Sequence, residues 1–310
     1  MAQVGLLTVS HGLPAGPRAM EHPVNVFVKG YLEELGLPVP HVHDYCQIPG
    51  RLQPAIDQLT AQGVDLVVVV FLYPTSTNRE IQNPRAELGF ADPPTDWSFP
   101  FNPVTTSARI LLGRTLGTHP LLADILVDRL LEVASDPPNE VAHFIIHGDQ
   151  RYPSHWLHEQ KAEELARLIR RRGLFADVTW STFYPEPTTE QVCREVRART
   201  GKRIVATTTM LEDTYFNQEK LPAGLFRLPA GSYAYNPKPL LPHPAIRPYL
   251  LFCLAETLRE QGYPELVPEE ARGCWCTRPD CKLNADPRVH REERPLACLT
   301  VECGWPRDRS

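Results

Sequence analysis

An apolar run that stops abruptly in a histidine and a glycine, Leu6-Leu7-Thr8-Val9-Ser10-His11-Gly12, constrains this chain more than any other feature. The run is short, rich in β-forming residues and bounded by Gly and Pro, so it predicts a buried parallel strand. Gly12 permits a sharp exit that lifts the His11 imidazole above the strand's C-terminal edge. In open α/β sheets that edge is where ligands bind. The same phrase returns as Val141-Ala142-His143-Phe144-Ile145-Ile146-His147-Gly148. One His-Gly after a strand is an ordinary polar turn. Two of them, each opening a half-chain, point to His11 and His147 as site residues.

The stretches between follow an alternating plan. Val24, Phe27, Val28, Tyr31, Leu32 and Leu35 have helical spacing and stop at Gly36. Strands are expected at 39–45 and 65–72, with a helix over 54–62 between them. This β-α-β-α-β order is the signature of a doubly wound parallel sheet. A Pro-rich stretch over 79–103 reads as a helix start plus a long loop, followed by a short strand near Phe101 to Val104. Leu116-Gly117-Thr118-His119-Pro120 then introduces a helix to about Val133, and Asp136-Pro137-Pro138-Asn139 breaks the chain. The second half repeats the plan. A helix is expected over 154–172, a strand over 176–183, a helix over 189–199 and a strand over 203–208. A last helix runs from Leu241-Pro242-His243-Pro244 to about Glu260.

His11 with His147, and His119 with His243, recur in the same order at near-equal offsets, which implies two copies of one fold. The expected class is therefore α/β, two duplicated doubly wound lobes plus a small Cys-rich C-terminal domain. The expected boundaries are 1–137, 138–262 and 263–310. Two copies facing each other would put both strand-end edges on one cleft, and a duplicated lobe favours a monomer.

At 310 residues with 42% hydrophobic and 22% charged residues, the composition is that of an ordinary globular protein. A formal charge of −5 offers nothing to a nucleic-acid backbone. There is no basic-then-apolar leader and no apolar run of about 18 residues, so neither secretion nor a membrane partner is expected, and a cytoplasmic location is. Cys46, Cys193 and Cys253 are scattered and read as small buried apolar residues.

The strand-then-His-Gly phrases at Val9 to Gly12 and Ile145 to Gly148, with Phe71-Leu72-Tyr73-Pro74 and the Leu-Gly-x-His-Pro helix start at Leu116 to Pro120, resemble the sirohydrochlorin cobaltochelatases (CbiX-type) and the wider class II tetrapyrrole chelatases. The resemblance covers about residues 1 to 260. It implies two lobes around a macrocycle, with His11 and His147 delivering a divalent metal or accepting pyrrole protons. Insertion of M²⁺ into a free-base ring releases two N–H protons and needs a ligand that holds the metal loosely. Imidazole, with an ordinary pKa of about 6.5, can do either near neutral pH. Its borderline softness suits Co²⁺, Fe²⁺ and Ni²⁺. The chain departs from the family where a second histidine follows the third strand, because Thr77 occupies that place. Ser10, Thr77 and Glu212 are the candidates for substrate contact. His41 and His43, His155 and His158 are replacement ligands, each weighed against a solvated or hydrogen-bonded imidazole. Asp213 lies beside Glu212, His119 and His243 read as structural, and Arg79, Arg85 and Arg151 are candidates for the ring's carboxylates. The resemblance implies a cobalt chelatase acting on a small-molecule tetrapyrrole. The alternative is a non-chelating tetrapyrrole- or metal-binding redox protein on the same scaffold.

Five cysteines crowd the tail as C-x-C-x4-C-x16-C-x4-C: Cys274, Cys276, Cys281, Cys298 and Cys303. Clustering of this kind favours a metal or iron–sulfur site over disulfides in a chain without a secretory signal. Structural zinc prefers paired C-x2-4-C knuckles, whereas iron–sulfur clusters accept irregular spacing. An iron–sulfur cluster, most simply [4Fe-4S], is the expected cofactor, with zinc the alternative. Cys276/Cys281 and Cys298/Cys303 share one spacing and are the first choice of ligands; Cys274 competes, and His290 is a further candidate. Such a cluster would serve regulation, or exchange electrons with a redox partner.

Overall fold

The computed structural model describes residues 2–272, apart from 13–19, 47, 49, 74–78, 93–100, 118, 149–153, 185–187 and 226. The chain forms two compact units, 1–116 with 244–310, and 117–243. The Cys-rich tail from residue 273 lies outside the described residues.

The first unit holds a four-stranded parallel sheet of β1 (Val4–Ser10), β2 (His41–Tyr45), β3 (Leu66–Phe71) and β4 (Arg109–Leu112), in the order β2-β1-β3-β4. Every residue of β1 and β3 is buried, as continuous apolar runs covered on both faces require. Helix α1 (Pro23–Glu33) faces Thr8, His43 and Tyr45: the Lys29 ammonium donates to the His43 carbonyl at 3.1 Å, and the Tyr45 hydroxyl donates to the Asn25 carbonyl. On the other face Leu7, Val9, Val42, Val67, Val69 and Phe71 pack against Leu52, Ala55, Ile56 and Leu59 of α2 (Leu52–Ala61) and Ile81 of α3 (Arg79–Glu87).

The second unit repeats this element by element. Its sheet is β5 (Glu140–Gly148), β6 (Asp177–Tyr184), β7 (Arg203–Thr208) and β8 (Tyr233–Tyr235), in the order β6-β5-β7-β8 and all parallel. Val141, Ile145, Ile204 and Ala206 pack on Cys193 and Val196 of α6 (Thr189–Thr200) and Leu221 and Leu225 of α7 (Leu221–Leu225). Helix α5 (Ser154–Arg170) packs on β5 and β6. The order of strands is the same in both sheets, so the expected duplication and α/β class hold.

The two units exchange their last helices. α4 (Pro120–Leu131) packs on β7 and α5 of the second unit. There its buried Arg129 donates to the carbonyls of Pro239 (3.0 Å) and Pro242 (2.7 Å). α8 (Ile246–Glu260) packs on β3 of the first unit, where Arg247 donates to the carbonyls of Leu35 and Gly36. The sequence boundary at 137/138 thus lies inside the second unit. His119 caps α4 through Nδ1, which accepts from the Leu121 amide at 3.2 Å, and His22 caps α1 from Val24 at 3.3 Å. In both, proline at the first helical position has no N–H to satisfy.

The strand expected at Phe101 to Val104 is displaced to Arg109–Leu112. The earlier backbone is already engaged: the Glu87 carboxylate accepts from the Asn102 amide, the Glu87 carbonyl from Val104, and the Gln53 side chain from Thr105. Its hydrogen bonds go to α3 and α2 instead of the sheet.

Candidate active-site residues at the two strand edges

Three strand ends converge at the C-terminal edge of the first sheet. Ser10 pairs with Tyr45 and Val9 with Phe71, so His11, Cys46 and Tyr73 follow in one row across β2, β1 and β3. The His11 and Tyr73 rings lie 6.3 Å apart, and Cys46 Sγ lies 2.8 Å from the Tyr73 hydroxyl. Gly12 makes the turn after His11 with φ +74°, and a Cβ there would sit 2.8 Å from Tyr45. No other residue fits that exit.

His11 Nδ1 lies 2.7 Å from the carbonyl oxygen of Gly12. A carbonyl can only accept, so Nδ1 carries the proton and Nε2 carries the lone pair. The same bond forms in the second unit, where His147 Nδ1 donates to the Gly148 carbonyl at 2.9 Å and Gly148 has φ +75°. His11 is partly exposed and His147 exposed. Each is thus an oriented imidazole whose tautomer a carbonyl fixes, with Nε2 as the nitrogen able to accept a proton or a metal.

Around His147 the neighbours differ. Phe183 and Phe216 each lie 6.3 Å from its ring and 4.9 Å from one another, edge to face. The Lys220 ammonium sits 4.5 Å from the Phe183 centroid and 5.4 Å from that of Phe216. Phe216–Lys220 is a π-helical turn, in which the Leu221 amide donates to the Phe216 carbonyl. Such turns are rare and gather at functional sites. By register Phe183 occupies the place of Cys46. One edge therefore carries a thiol and a phenol beside its histidine, the other aromatic rings and a cation.

Behind the first edge lies a buried polar layer. Thr8 Oγ1 is 2.9 Å from His41 Nε2 and 3.0 Å from His43 Nδ1, and Ser10 Oγ is 3.2 Å from His43 Nε2. Burial holds His41 down to about 4 and pushes His43 well below the usual imidazole range. Of the two readings of His41 and His43, replacement ligand or hydrogen-bonded imidazole, the structure shows the second: they sit within β2 as neutral, hydrogen-bonded groups. Ser10 is wholly buried and faces His43. His143 makes the matching layer in the second unit with Thr179 (2.9 Å) and Ser181 (3.0 Å), and burial holds it at about 4.

Glu212 is buried just after β7, and Asp213 accepts from Asn217 and Gln218. His158 is buried on α5, and His243 pairs with Asp128 at 3.3 Å. Thr77, Arg151, Cys274, Cys276, Cys281, Cys298, Cys303 and His290 lie outside the described residues, as do the side chains of Arg79 and His155. Among the described residues no group of three or more His, Cys, Asp or Glu is gathered to hold a metal ion, and no helix is long and apolar enough to cross a membrane. Cys193 and Cys253 are buried as expected, but Cys46 is partly exposed at the edge beside Tyr73. Sequence reasoning missed it, together with Tyr73, Phe183 and Lys220. The signal was position: Cys46 and Tyr73 stand one and two places beyond a strand end, Phe183 is the last residue but one of β6, and Lys220 closes the π-helical turn.

No family model matches the sequence, and neither does any curated protein. Solved structures do match. SirB from Bacillus subtilis with Fe³⁺ is 16% identical with a TM-score of 0.64, over 84% of this chain and 98% of that one. The sirohydrochlorin chelatase SirB from Bacillus subtilis subspecies spizizenii, in complex with cobalt, is 15% identical with a TM-score of 0.59, over the same shares. CbiX, described as the terminal enzyme of siroheme biosynthesis in denitrifying bacteria, is 18% identical with a TM-score of 0.53, over 83% of this chain and 98% of its own. At these identities the likeness is one of fold.

Proposed function

We propose, for a chain that has the fold of the solved sirohydrochlorin chelatases, that it inserts a divalent metal into a sirohydrochlorin-type tetrapyrrole, Co²⁺ being the first choice. The observation that carries this reading is the doubled His-Gly edge, in which each imidazole gives its Nδ1 proton to the next glycine carbonyl and presents Nε2 as a base. Insertion exchanges one M²⁺ for two pyrrole N–H protons. Nε2 of His11 binds the incoming metal as a neutral imidazole. Once the metal has left, the same lone pair is free to accept a proton. In the second unit, His147, set among Phe183 and Phe216 with Lys220 above them, gives that edge by itself a base, apolar faces and a cation, groups that suit a tetrapyrrole and its carboxylates.

The reading extends to the tail. Its five cysteines suit an iron–sulfur cluster, [4Fe-4S] in the simplest case, acting as a redox sensor or exchanging electrons with a partner. Iron and sulfide analysis of protein purified without oxygen tests this. A brown protein with about four irons per chain supports it, and a colourless protein with stoichiometric zinc overturns it.

The decisive experiment is anaerobic incubation with Co²⁺ and sirohydrochlorin, followed by visible absorbance. The wild-type chain should convert the free base to the cobalt form, and His11→Ala should lose that activity by about 10²-fold or more. Tight binding of the ring with no conversion would leave a binding protein and sink the enzyme.

A further inference from the structure

The metal that His11 binds needs at least one more protein ligand, and the first sheet's edge supplies one that differs from a second histidine. We propose that Cys46 is that ligand, as a thiolate, with the Tyr73 hydroxyl steadying its sulfur. The inference rests on the chelatase reading for His11 as a metal ligand and for the choice of metal.

Three observations carry it. Cys46 leaves β2 at the register position next to His11, and its amide donates to the Ser10 carbonyl at 3.0 Å, which ties the two exits together. Its Sγ lies 2.8 Å from the Tyr73 hydroxyl, a contact that spans β1, the strand from which His11 emerges. Tyr73 in turn has its ring 6.3 Å from that of His11. The thiol is partly exposed, whereas Cys193 and Cys253 are sealed in the core. At the matching place in the second unit stands Phe183, so this ligating row belongs to the first unit.

The chemistry balances. On binding, Co²⁺ forms bonds to His11 Nε2 and Cys46 Sγ, and the thiol proton passes to water, one per metal. The Tyr73 O–H then donates to the thiolate, an acceptor that a phenol can serve without losing its own proton. Water fills the remaining positions. When the ring takes the metal, its two pyrrole protons have two acceptors in the groups just released: Sγ, which becomes a thiol again, and Nε2, which passes its proton to solvent. A pair of protein ligands, one borderline and one soft, selects late divalent ions over Mg²⁺ and still lets the metal go.

Residue-resolved alkylation of the wild-type protein tests this, because it reads Cys46 apart from the tail thiols. Iodoacetamide labelling of Cys46 is followed by mass spectrometry with and without Co²⁺, and with Mg²⁺ as the control. Co²⁺ should slow labelling of Cys46 by about tenfold or more, Mg²⁺ should not, and His11→Ala should remove the protection. Cys46→Ser should weaken Co²⁺ binding by about 10- to 100-fold, an effect of the size expected for losing support at a metal site. It should also lower the near-ultraviolet sulfur-to-cobalt absorbance of the Co²⁺-loaded protein. Unchanged labelling of Cys46 in the presence of Co²⁺, while His11→Ala still lowers Co²⁺ uptake, would overturn the proposal and leave the chelatase reading intact. Protection that survives in His11→Ala would equally overturn it, because the two ligands would not share a metal. Protection that depends on His11, in a protein that never converts sirohydrochlorin, would support the site while removing its assigned reaction.

Discussion

The hydroxyl of Thr8 lies 3.0 Å from Nδ1 of His43, inside a sheet where both residues are wholly buried. Ser10 meets the other ring nitrogen, so both nitrogens of His43 are already engaged with neutral partners. Protonation would place a charge in the core beside two hydroxyls and the Tyr45 ring, with no carboxylate among its partners in the described residues and Lys29 opposing it. The second unit holds His143 in the same condition, with Thr179 and Ser181.

A pH dependence of stability follows. His143 titrates near 6.5 when unfolded and near 4 when folded, because burial penalises its charged form. Between those values the unfolded chain binds the extra proton. The stabilisation is therefore complete above about pH 6.5 and lost as pH falls towards 4, by roughly 3 kcal/mol for this residue. His41 and His43 add in the same direction. Urea unfolding at pH 7 and pH 4.5 should show a large fall for wild type and a smaller one for His143→Asn. An equal fall in both would mean that His143 does not stay neutral in the fold.

Gly12 and Gly36 separate two reasons for glycine. Both have positive φ, +74° and +61°, but only Gly12 has Tyr45 where a Cβ would go. Gly36→Ala should cost about 1 kcal/mol, the left-handed penalty alone. Gly12→Ala adds a 2.8 Å clash and should cost about 3 kcal/mol. It should also displace His11 and reduce metal insertion, which Gly36→Ala should leave unchanged. Comparable denaturation midpoints for the two substitutions would show that Tyr45 yields.

Much of this fold was readable because its strands are pure apolar runs and its duplication is marked by His-Gly and His-Pro phrases. Arg203 to Thr208 was placed to the residue. Three-residue β8 was not, since Tyr233–Tyr235 carries no periodicity to detect. The exchange of α4 and α8 was invisible for a different reason. Apolar spacing says that a helix has a face to bury but not which sheet buries it. The histidines split along the same line. The place of His11 and His147 at the C-terminal end of a strand was legible from the glycine after them. His41 and His43 stayed open between ligand and hydrogen-bonded imidazole, because nothing in the sequence tells a strand end from a strand interior where Thr8 and Ser10 wait across the pairing. Cys46 looked like core, since a cysteine's exposure depends on where its strand stops.

Arg51 holds the end of β2 in place. Its Nε and terminal nitrogen donate to the two oxygens of Asp44, at 3.0 and 2.8 Å, and Asp44 is buried. A fork of this kind matches a carboxylate in a way that an ammonium cannot. Arg51→Ala leaves the carboxylate in the core with its remaining bond to the Tyr45 amide and should cost about 2 kcal/mol. Arg51→Lys should recover less than half of that. Exposed pairs such as Arg194–Glu190 should cost under about 1 kcal/mol when broken. Chemical denaturation of the three substituted proteins ranks them, and an Arg51→Ala loss no greater than that of the exposed pair would show that water replaces the guanidinium.

The second edge should bind the ring without binding the metal. Phe183 and Phe216 present edge-to-face aromatic surface beside His147, and Lys220 places its charge over both. An ammonium held near a π-face gains about 0.5 to 2 kcal/mol there. It remains a donor for a carboxylate, of which a sirohydrochlorin-type ring has several. Phe216→Ala removes one aromatic face and loosens the seat of Lys220, so the affinity for sirohydrochlorin should fall about tenfold, or 1.4 kcal/mol. Lys220→Met keeps the apolar stem and removes only the charge. It should weaken binding of the ring more at low salt than at high, because screening already weakens a partly exposed ion pair. Neither substitution touches His11, Cys46 or Tyr73, so Co²⁺ affinity measured without the ring should stay at the wild-type value. A fall in Co²⁺ affinity in Phe216→Ala would show that the aromatic edge serves the metal after all, and the division of labour between a ligating edge and an aromatic one would have to be abandoned.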